Sequence, residues 1–432
     1  MLSEADNVRL TRVSRGTPMG ELMRRYWQPV VLSRELPEPD GAPVRVRILG
    51  EDLIAFRDSA GQVGLVDAYC PHRRAPMFYA RNEECGLRCV YHGWKFDSKG
   101  NCVDLPTEPA SSKMKDHIKI NSYPTYEKAG VVFCYMGPTD MMPEPPNYEW
   151  MRAPETHRHV SKTFESCNWL QALEGGLDTA HSSYLHNNKL GDKKEFRQRD
   201  RAPRLDVERT DYGYYYVSHR NAQEDGEYVR VYQYVMPWQQ MRANVQKNVA
   251  QTGVRSNSVP KHDGHIWVPI DDEQTYVYNW MMGVDEEARI TDEYAEEMEK
   301  SAGRGKDDLI PGSFKLKRNP SNDYLIDREM QKTSNFTGIV GVNTQDFALQ
   351  EAMGGADGRM ICDRTKENLG SSDKAIIAMR NLLLEATRDV EAGKRPRGTD
   401  PKAHGACRPH DGLVPAGKDW REQYAEHLIC KW

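Results

Sequence analysis

The sequence predicts an α+β protein of two unequal parts: a small all-β domain near the N-terminus, then a larger domain with an antiparallel sheet flanked by helices. Three observations point there. Between residues 42 and 140, short apolar runs alternate with polar positions and are punctuated by turns such as "DSAG" and "DSKG". A proline-rich stretch, "GPTDMMPEPPNYEWMRAPE", then interrupts any regular element. Beyond it, tyrosine- and valine-rich strands are mixed with amphipathic helices.

In chain order, "GELMRRYWQPVVLS" reads as a short helix stopping near Pro29, so residues 1–41 are expected to form an N-terminal helical segment packed on the larger domain. "VRVRILG" alternates as a half-buried strand does, and "AGVVFCYMG" is a second strand, bounding a β domain over 42–140. Residues 141–155 are expected to be a linker and 156–432 the second domain. There, "CNWLQALEGGLDTAHSSYLHNN" is helix-like with glycine interruptions. "YGYYYVSHR", "EYVRVYQYVMPW", "HIWVPI" and "QTYVYNWMMGV" are strands of one sheet. "TDEYAEEMEKSAG" begins a charged helix with capping chemistry at its threonine, and residues 302–325 read as a surface loop. "SSDKAIIAMRNLLLEATRDVEAG" is an amphipathic helix ending at glycine.

With 432 residues, the chain can bury a substantial core. A net charge of −5 gives no reason to expect nucleic acid or acidic membranes as partners. Mean hydropathy is −0.78 and no apolar run reaches membrane-helix length, so no membrane association is expected. Nine scattered cysteines do not make a disulfide framework, and the start lacks an apolar signal core; a cytoplasmic protein with reduced thiols is expected.

The chemistry begins in "CPHRRAPMFYARNEECGLRCVYHGW". Cys70 and His72 form one pair, Cys89 and His92 a second, with sixteen residues between His72 and Cys89. Two sulfur and two nitrogen donors could hold zinc or a [2Fe–2S] cluster. A common zinc finger pairs cysteine with cysteine and histidine with histidine. Here each loop carries one of each, which suits a cluster clamped between two loops, each supplying one ligand to each iron. Pro71 restricts one loop and Gly93 lets the other approach closely. Cys85 lies between the pairs and reads as an ordinary small residue.

A second constellation lies in "EGGLDTAHSSYLH". Two imidazoles and a carboxylate on one face of iron leave positions open for further ligands. His181 and His186 are the imidazoles; five residues apart, they would stand about 140° apart on an ideal helix, so a π-bulge or broken turn is expected between them. The carboxylate is open on geometry alone: Asp178, Asp346, Glu351 and Asp357 all qualify.

"CPH", the sixteen-residue gap and "CVYHGW" resemble the Rieske motif of Rieske non-heme iron oxygenases. "GTPMGELMRRYWQPV", "NWLQALEG" and "TQDFALQEAMGG" resemble the phthalate-dioxygenase group within that family. The resemblance spans most of the chain and implies a Rieske [2Fe–2S] domain followed by a helix-grip-like catalytic domain. It implies that Cys70 and Cys89 hold one cluster iron, that His72 and His92 hold the other, and that His181, His186 and Asp346, supported by Gln350, hold a mononuclear Fe(II). It gives Asp178 the role of bridging His181 to His92 of the partner subunit, hence a homo-oligomer: a trimer, or two trimers stacked as a hexamer. Glu174 falls where relatives place an amide or acid near the iron.

The implied activity is a terminal oxygenase using O₂ and electrons from NAD(P)H, delivered by a separate reductase, since no dinucleotide fingerprint or Cys₄ ferredoxin spacing is seen. An aromatic carboxylic acid is the expected substrate and cis-dihydroxylation the expected outcome; monooxygenation, such as O-demethylation of a methoxy-aryl acid, is the alternative. A Rieske electron carrier without catalytic iron is the rival from another class. Arg242, Arg204 and Arg255 are candidates to grip the carboxylate. Tyr214, Tyr216, Met236, Trp238, Met241, Trp280 and Met281 are candidates to line an apolar pocket.

Overall fold

Turn chemistry organises the first unit. In the computed structural model, which describes residues 2–191, 195–246, 258–355 and 360–432, "DSAG" and "DSKG" fold alike. Asp58 Oδ1 accepts from the amides of Ala60 and Gln62, and Asp97 Oδ1 from those of Lys99 and Asn101. Gly61 and Gly100 close the turns at φ 81° and 80°, where a side chain would be strained. Three small antiparallel sheets result: Val44–Ile48, Glu51–Arg57 and Val63–Asp67; Arg81–Glu83, Gly86–Arg88, Lys95–Phe96 and Cys102–Asp104; and Trp27–Leu32, Val131–Tyr135 and Thr125–Lys128. Ile54, Phe56, Leu87, Trp94 and Phe96 are buried together with Cys70 and Cys89.

The unit's boundaries differ from those read in the sequence. It runs Val13–Pro145, and only Met1–Arg12 groups with the C-terminal unit. The expected helix through Pro29 ends at Met23; Trp27–Leu32 is a strand. Its β-branched "VV" pairs with Val131–Tyr135, and Pro29 sits where the register slips, so its missing donor is tolerated. The stretch expected to be a linker is also partly core. Glu149–Arg152 is a short helix whose Trp150 stacks on Trp280 and whose Glu149 pairs with Arg408.

The second unit, Met1–Arg12 and Pro146–Trp432, is built on an eight-stranded antiparallel sheet. Its path runs Arg158–Glu165, Thr275–Gly283, Lys261–Pro269, Gln239–Asn244, Glu227–Val235, Gly213–Asn221 and Arg204–Arg209, and His410–Val414 pairs with Glu227–Val235. All four tyrosine- and valine-rich runs are strands of this sheet. Helix Lys374–Glu391 buries one face against it, and the Tyr214 hydroxyl donates to the Ala375 carbonyl. Helix Asp292–Ala302 is capped by Thr291, which accepts from the Tyr294 amide, and ends at Gly303 with φ 81°. The sheet and its helices give the expected α+β architecture. No described helix is long and apolar enough to cross a membrane.

Candidate metal centres and active-site cavity

In the first unit the two ligand pairs sit on matching loops. The Cys70 amide donates to the Ala75 carbonyl and the Arg74 amide to the Cys70 carbonyl; Cys89, Trp94 and Gly93 repeat the pattern. Arg74 and Gly93 occupy equivalent left-handed positions, at φ 60° and 77°. The loops bring the His72 and His92 rings to 4.5 Å, with His72 stacked 4.3 Å over Trp94. The cysteines are buried and the histidines half-buried. Burial, with Cys89 alongside, pushes the Cys70 thiol up to about 11. Paired thiols on the inner side and paired imidazoles on the outer side fit a [2Fe–2S] cluster, whose cations would stabilise the thiolates. Cys85 is exposed in the turn between Glu83 and Gly86.

The second constellation forms where a helix fails. Asn168 caps Trp169–Leu177, and Asp178 then leaves helical geometry at ψ 127°. His181–Ser183 is a single 3₁₀ turn, so the expected broken turn separates His181 from His186. Asp178 Oδ1 accepts from the amides of Ala180 and His181 and shapes this turn. Arg220, buried on the sheet, holds it from below by donating to the Thr179 carbonyl and the Ser183 hydroxyl.

The turn places His181 Nε2 3.1 Å from His186 Nε2, with the rings nearly perpendicular. Asp346, on helix Val342–Gln350, puts Oδ1 3.2 Å from His186 Nε2 and 3.6 Å from His181 Nε2. Asp346 is thus the carboxylate that joins the imidazoles. Glu351 is engaged elsewhere, by the Tyr324 hydroxyl and the Ser166 amide, and Asp357 lies outside the described residues.

The polarity of the surrounding bonds decides what this triad can hold. Gln345 Nε2 donates to Asn188 Oδ1 and the Ile339 carbonyl, so its Oε1 must face His186 Nδ1, 2.8 Å away. His186 Nδ1 therefore carries the proton and Nε2 a lone pair. His181 Nδ1 lies 3.5 Å from Asp178 Oδ2, which likewise leaves Nε2 as an acceptor. With both Nδ1 protons committed outward, three acceptors converge and need a shared proton or a cation between them. Burial alone would push the His181 imidazole down, but the Asp178 hydrogen bond and the carboxylates of Asp178 and Asp346 raise it. Burial works against the Asp346 carboxylate too, yet His186 and His181 hold it below its usual range. Neighbouring donors at right angles, each about 2.1 Å from a metal, stand about 3 Å apart, so the arrangement fits a divalent cation bound on one face.

The triad opens onto a cavity of about 540 Å³ walled by Trp267, Trp280, Met281 and Arg242, among others. Of the seven apolar candidates only Trp280 and Met281 line it. Side chains alternate along a strand, so Met241 points away while its neighbours Gln240 and Arg242 face the cavity. Tyr216 is covered by Gln240, and Tyr214 packs under helix Lys374–Glu391. Met236 and Trp238 are buried in the connection between two strands and do not reach the wall.

Two polar candidates are corrected. Glu174 is not on the cavity wall; it is buried between Arg364 and Arg380, at 2.8 and 2.7 Å. Arg204 is exposed and pairs with Asp206 away from the cavity. Arg255 lies outside the described residues. No hydrogen bond among the described residues joins Gln350 to Asp346: its side-chain amide packs against Gly175, and the amides beside the triad belong to Gln345 and to Asn343, whose Nδ2 is 3.4 Å from Asp346 Oδ2. Gln345, Asn343 and Arg220 carried no signal in the sequence beyond the closeness of the two amides to Asp346.

With this geometry in hand, the known proteins it resembles are informative. The Rieske [2Fe-2S] domain family matches residues 26–124, and the family described as LigXa C-terminal domain like matches residues 134–431. The oxygenase subunit of phthalate 4,5-dioxygenase from Pseudomonas putida is 40% identical over 99% of this chain and 96% of its own length. The oxygenase subunit of 3-chlorobenzoate-3,4-dioxygenase from Comamonas testosteroni is 36% identical over 98% of each. Among solved structures, dicamba monooxygenase bound to dicamba shares the fold with a TM-score of 0.59, at 18% identity over 86% of this chain and 99% of that one. The chain belongs to the Rieske-type non-heme iron oxygenases. It is an oxidoreductase whose cofactors are a Rieske [2Fe–2S] cluster and a mononuclear iron, with O₂ as co-substrate.

Proposed function

We propose that this chain is the terminal oxygenase that hydroxylates an aromatic carboxylic acid of the phthalate or benzoate type, with cis-dihydroxylation as the outcome. The observation that carries the reading is the convergence of His181, His186 and Asp346, as three acceptors, on the wall of a 540 Å³ cavity. In this reading they hold the mononuclear iron, and Cys70, His72, Cys89 and His92 hold the cluster. Bound there, the cluster would supply electrons one at a time and the iron would activate O₂. The electrons come from NAD(P)H through a separate reductase, and the enzyme works in the cytoplasm.

The chain's own residues do the rest. Trp267, Trp280 and Met281 present apolar walls to an aromatic ring and keep water from it. Arg242 lines the same cavity with Nε on Asp263 and Nη2 on His265; no described residue takes its Nη1, which is left to a substrate carboxylate. Asp178 accepts from His181 and keeps part of its carboxylate exposed, so it can accept a second N–H from His92 of the partner subunit. That contact requires a ring of subunits, a trimer or a stacked hexamer.

A product survey tests the reading. Reduced, iron-loaded protein is supplied with phthalate, benzoate and methoxy-aryl acids under O₂. A cis-diol is the expected product. Formaldehyde from a methoxy-aryl acid would instead establish O-demethylation. Absence of oxygen-dependent turnover with every aromatic acid would overturn the substrate class.

A further inference from the structure

A line of hydrogen bonds crosses the sheet from Arg242 to Asp346, and every bond in it has a defined direction. Arg242 can only donate, so His265 accepts at Nε2, 3.1 Å away. His265 is then protonated at Nδ1 and donates to Asn279 Oδ1 at 2.7 Å. Burial, reinforced by the Arg242 charge, pushes its pKa down to about 3, so the ring stays neutral. The Asn279 amide nitrogen is directed toward the Val277 carbonyl, which can only accept, and toward the Ser161 hydroxyl at 3.3 Å. Ser161 in turn donates to Glu299 Oε1 at 3.0 Å.

From Glu299 the line returns to the triad. Arg304 donates through Nε to Glu299 Oε2 and through Nη1 to Asn343 Oδ1, both at 2.6 Å. That orients the Asn343 amide nitrogen toward Asp346 Oδ2, leaving Oδ1 toward the two imidazoles. Strand register builds the middle of the line: His265, Asn279 and Ser161 are direct cross-strand partners on three neighbouring strands. All three are buried, and Asn279 and Ser161 lie off the cavity wall.

We propose that this relay positions Asp346 and makes the occupancy of Arg242 felt at the mononuclear site. The inference rests on the reading of His181, His186 and Asp346 as metal ligands and of Arg242 as the carboxylate anchor. A carboxylate that takes a share of the Arg242 guanidinium weakens its bond to His265. The loss passes head to tail through His265, Asn279 and Ser161; Glu299, less well served by Ser161, then draws harder on Arg304 Nε, which leaves Arg304 Nη1 a weaker donor to Asn343. Asn343 then donates less strongly to Asp346, whose carboxylate becomes a stronger ligand. Substrate bound at Arg242 therefore tightens metal binding, and by linkage the metal tightens substrate binding equally.

The experiment measures Co(II) binding at the mononuclear site of the full chain, by visible absorption over the cluster background, with and without phthalate or benzoate. In the wild type either acid is expected to tighten cobalt by about fivefold or more, and Asn279→Leu is expected to reduce that coupling to within about twofold of none. The variant should still bind cobalt and the acid separately, because Asn279 touches neither; a purely structural role would weaken both. Should Asn279→Leu not fold, Asn279→Asp keeps the acceptor for His265, removes the donor to Ser161, and is expected to lose the coupling too. Unchanged coupling in the folded variant overturns the proposal. A wild type that binds cobalt indifferently to both acids overturns it while leaving the ligand reading intact. A wild type whose cobalt binding is unaffected by His186→Ala overturns the ligand reading, and the relay with it.

Discussion

Glu174 carries its meaning in charges that lie far off in sequence. Helical acids are ordinarily solvated, but this one is buried against Arg364 and Arg380, 190 and 206 residues away. Burial alone would raise its carboxyl; the two guanidiniums hold it below the usual range. Removing one member of such a buried set strands the others, so Glu174→Ala should lose about 3–5 kcal/mol in denaturant unfolding. Because the folded pKa is depressed, this stabilisation is full above the ordinary carboxyl value and fades as pH falls through the folded one. The gap in melting temperature between wild type and Glu174→Gln should therefore close on acidification. Gln345 has a different role. With its oxygen gone, Gln345→Leu lets His186 move its proton to Nε2, and metal affinity at the mononuclear site should fall about 10–100-fold, read by cobalt titration.

Among the elements, helix Trp169–Leu177 shows how packing overrides local preference. "LEGGL" looks like a defect, since glycine costs a helix about 1 kcal/mol relative to alanine. Yet a Cβ on Gly176 would stand 2.1 Å from the Trp267 ring, and one on Gly175 would stand 1.9 Å from Gln350 Nε2. Overpacking costs about 1–3 kcal/mol, which exceeds the propensity gain. Gly176→Ala should thus lower the unfolding midpoint, although the same change on a solvated helix would raise it. The strand Trp27–Leu32 teaches the converse. Its helix-like lead-in ends at Met23, and only pairing with Val131–Tyr135, about one hundred residues on, makes it a strand. Four of the eight sheet strands of the larger unit were legible because β-branched and aromatic residues dominate each of those runs.

For the whole molecule, the proposed assembly places at Asp178 the contact between one chain and the next. Asp178→Asn should leave cluster colour and iron content as in the wild type while turnover falls steeply, measured by oxygen uptake with an accepted aromatic acid. Intact turnover in this variant would remove the case for a bridge to the partner subunit's His92. Sedimentation should show a closed assembly of three or six chains.

The sequence by itself determined the chemistry. Cysteine and histidine at matched spacing, and two histidines beside a broken helical pattern, are local signals, because the type and order of ligands reflect what a metal requires. Tertiary structure decided the rest: that Asp346 rather than Glu351 meets the imidazoles, that Glu174 is held in the core, and that Arg242 faces the cavity while Arg204 faces solvent. These outcomes depend on which faces of distant strands and helices meet. No local pattern encodes that, because packing acts between residues that are neighbours only after the sheet has formed.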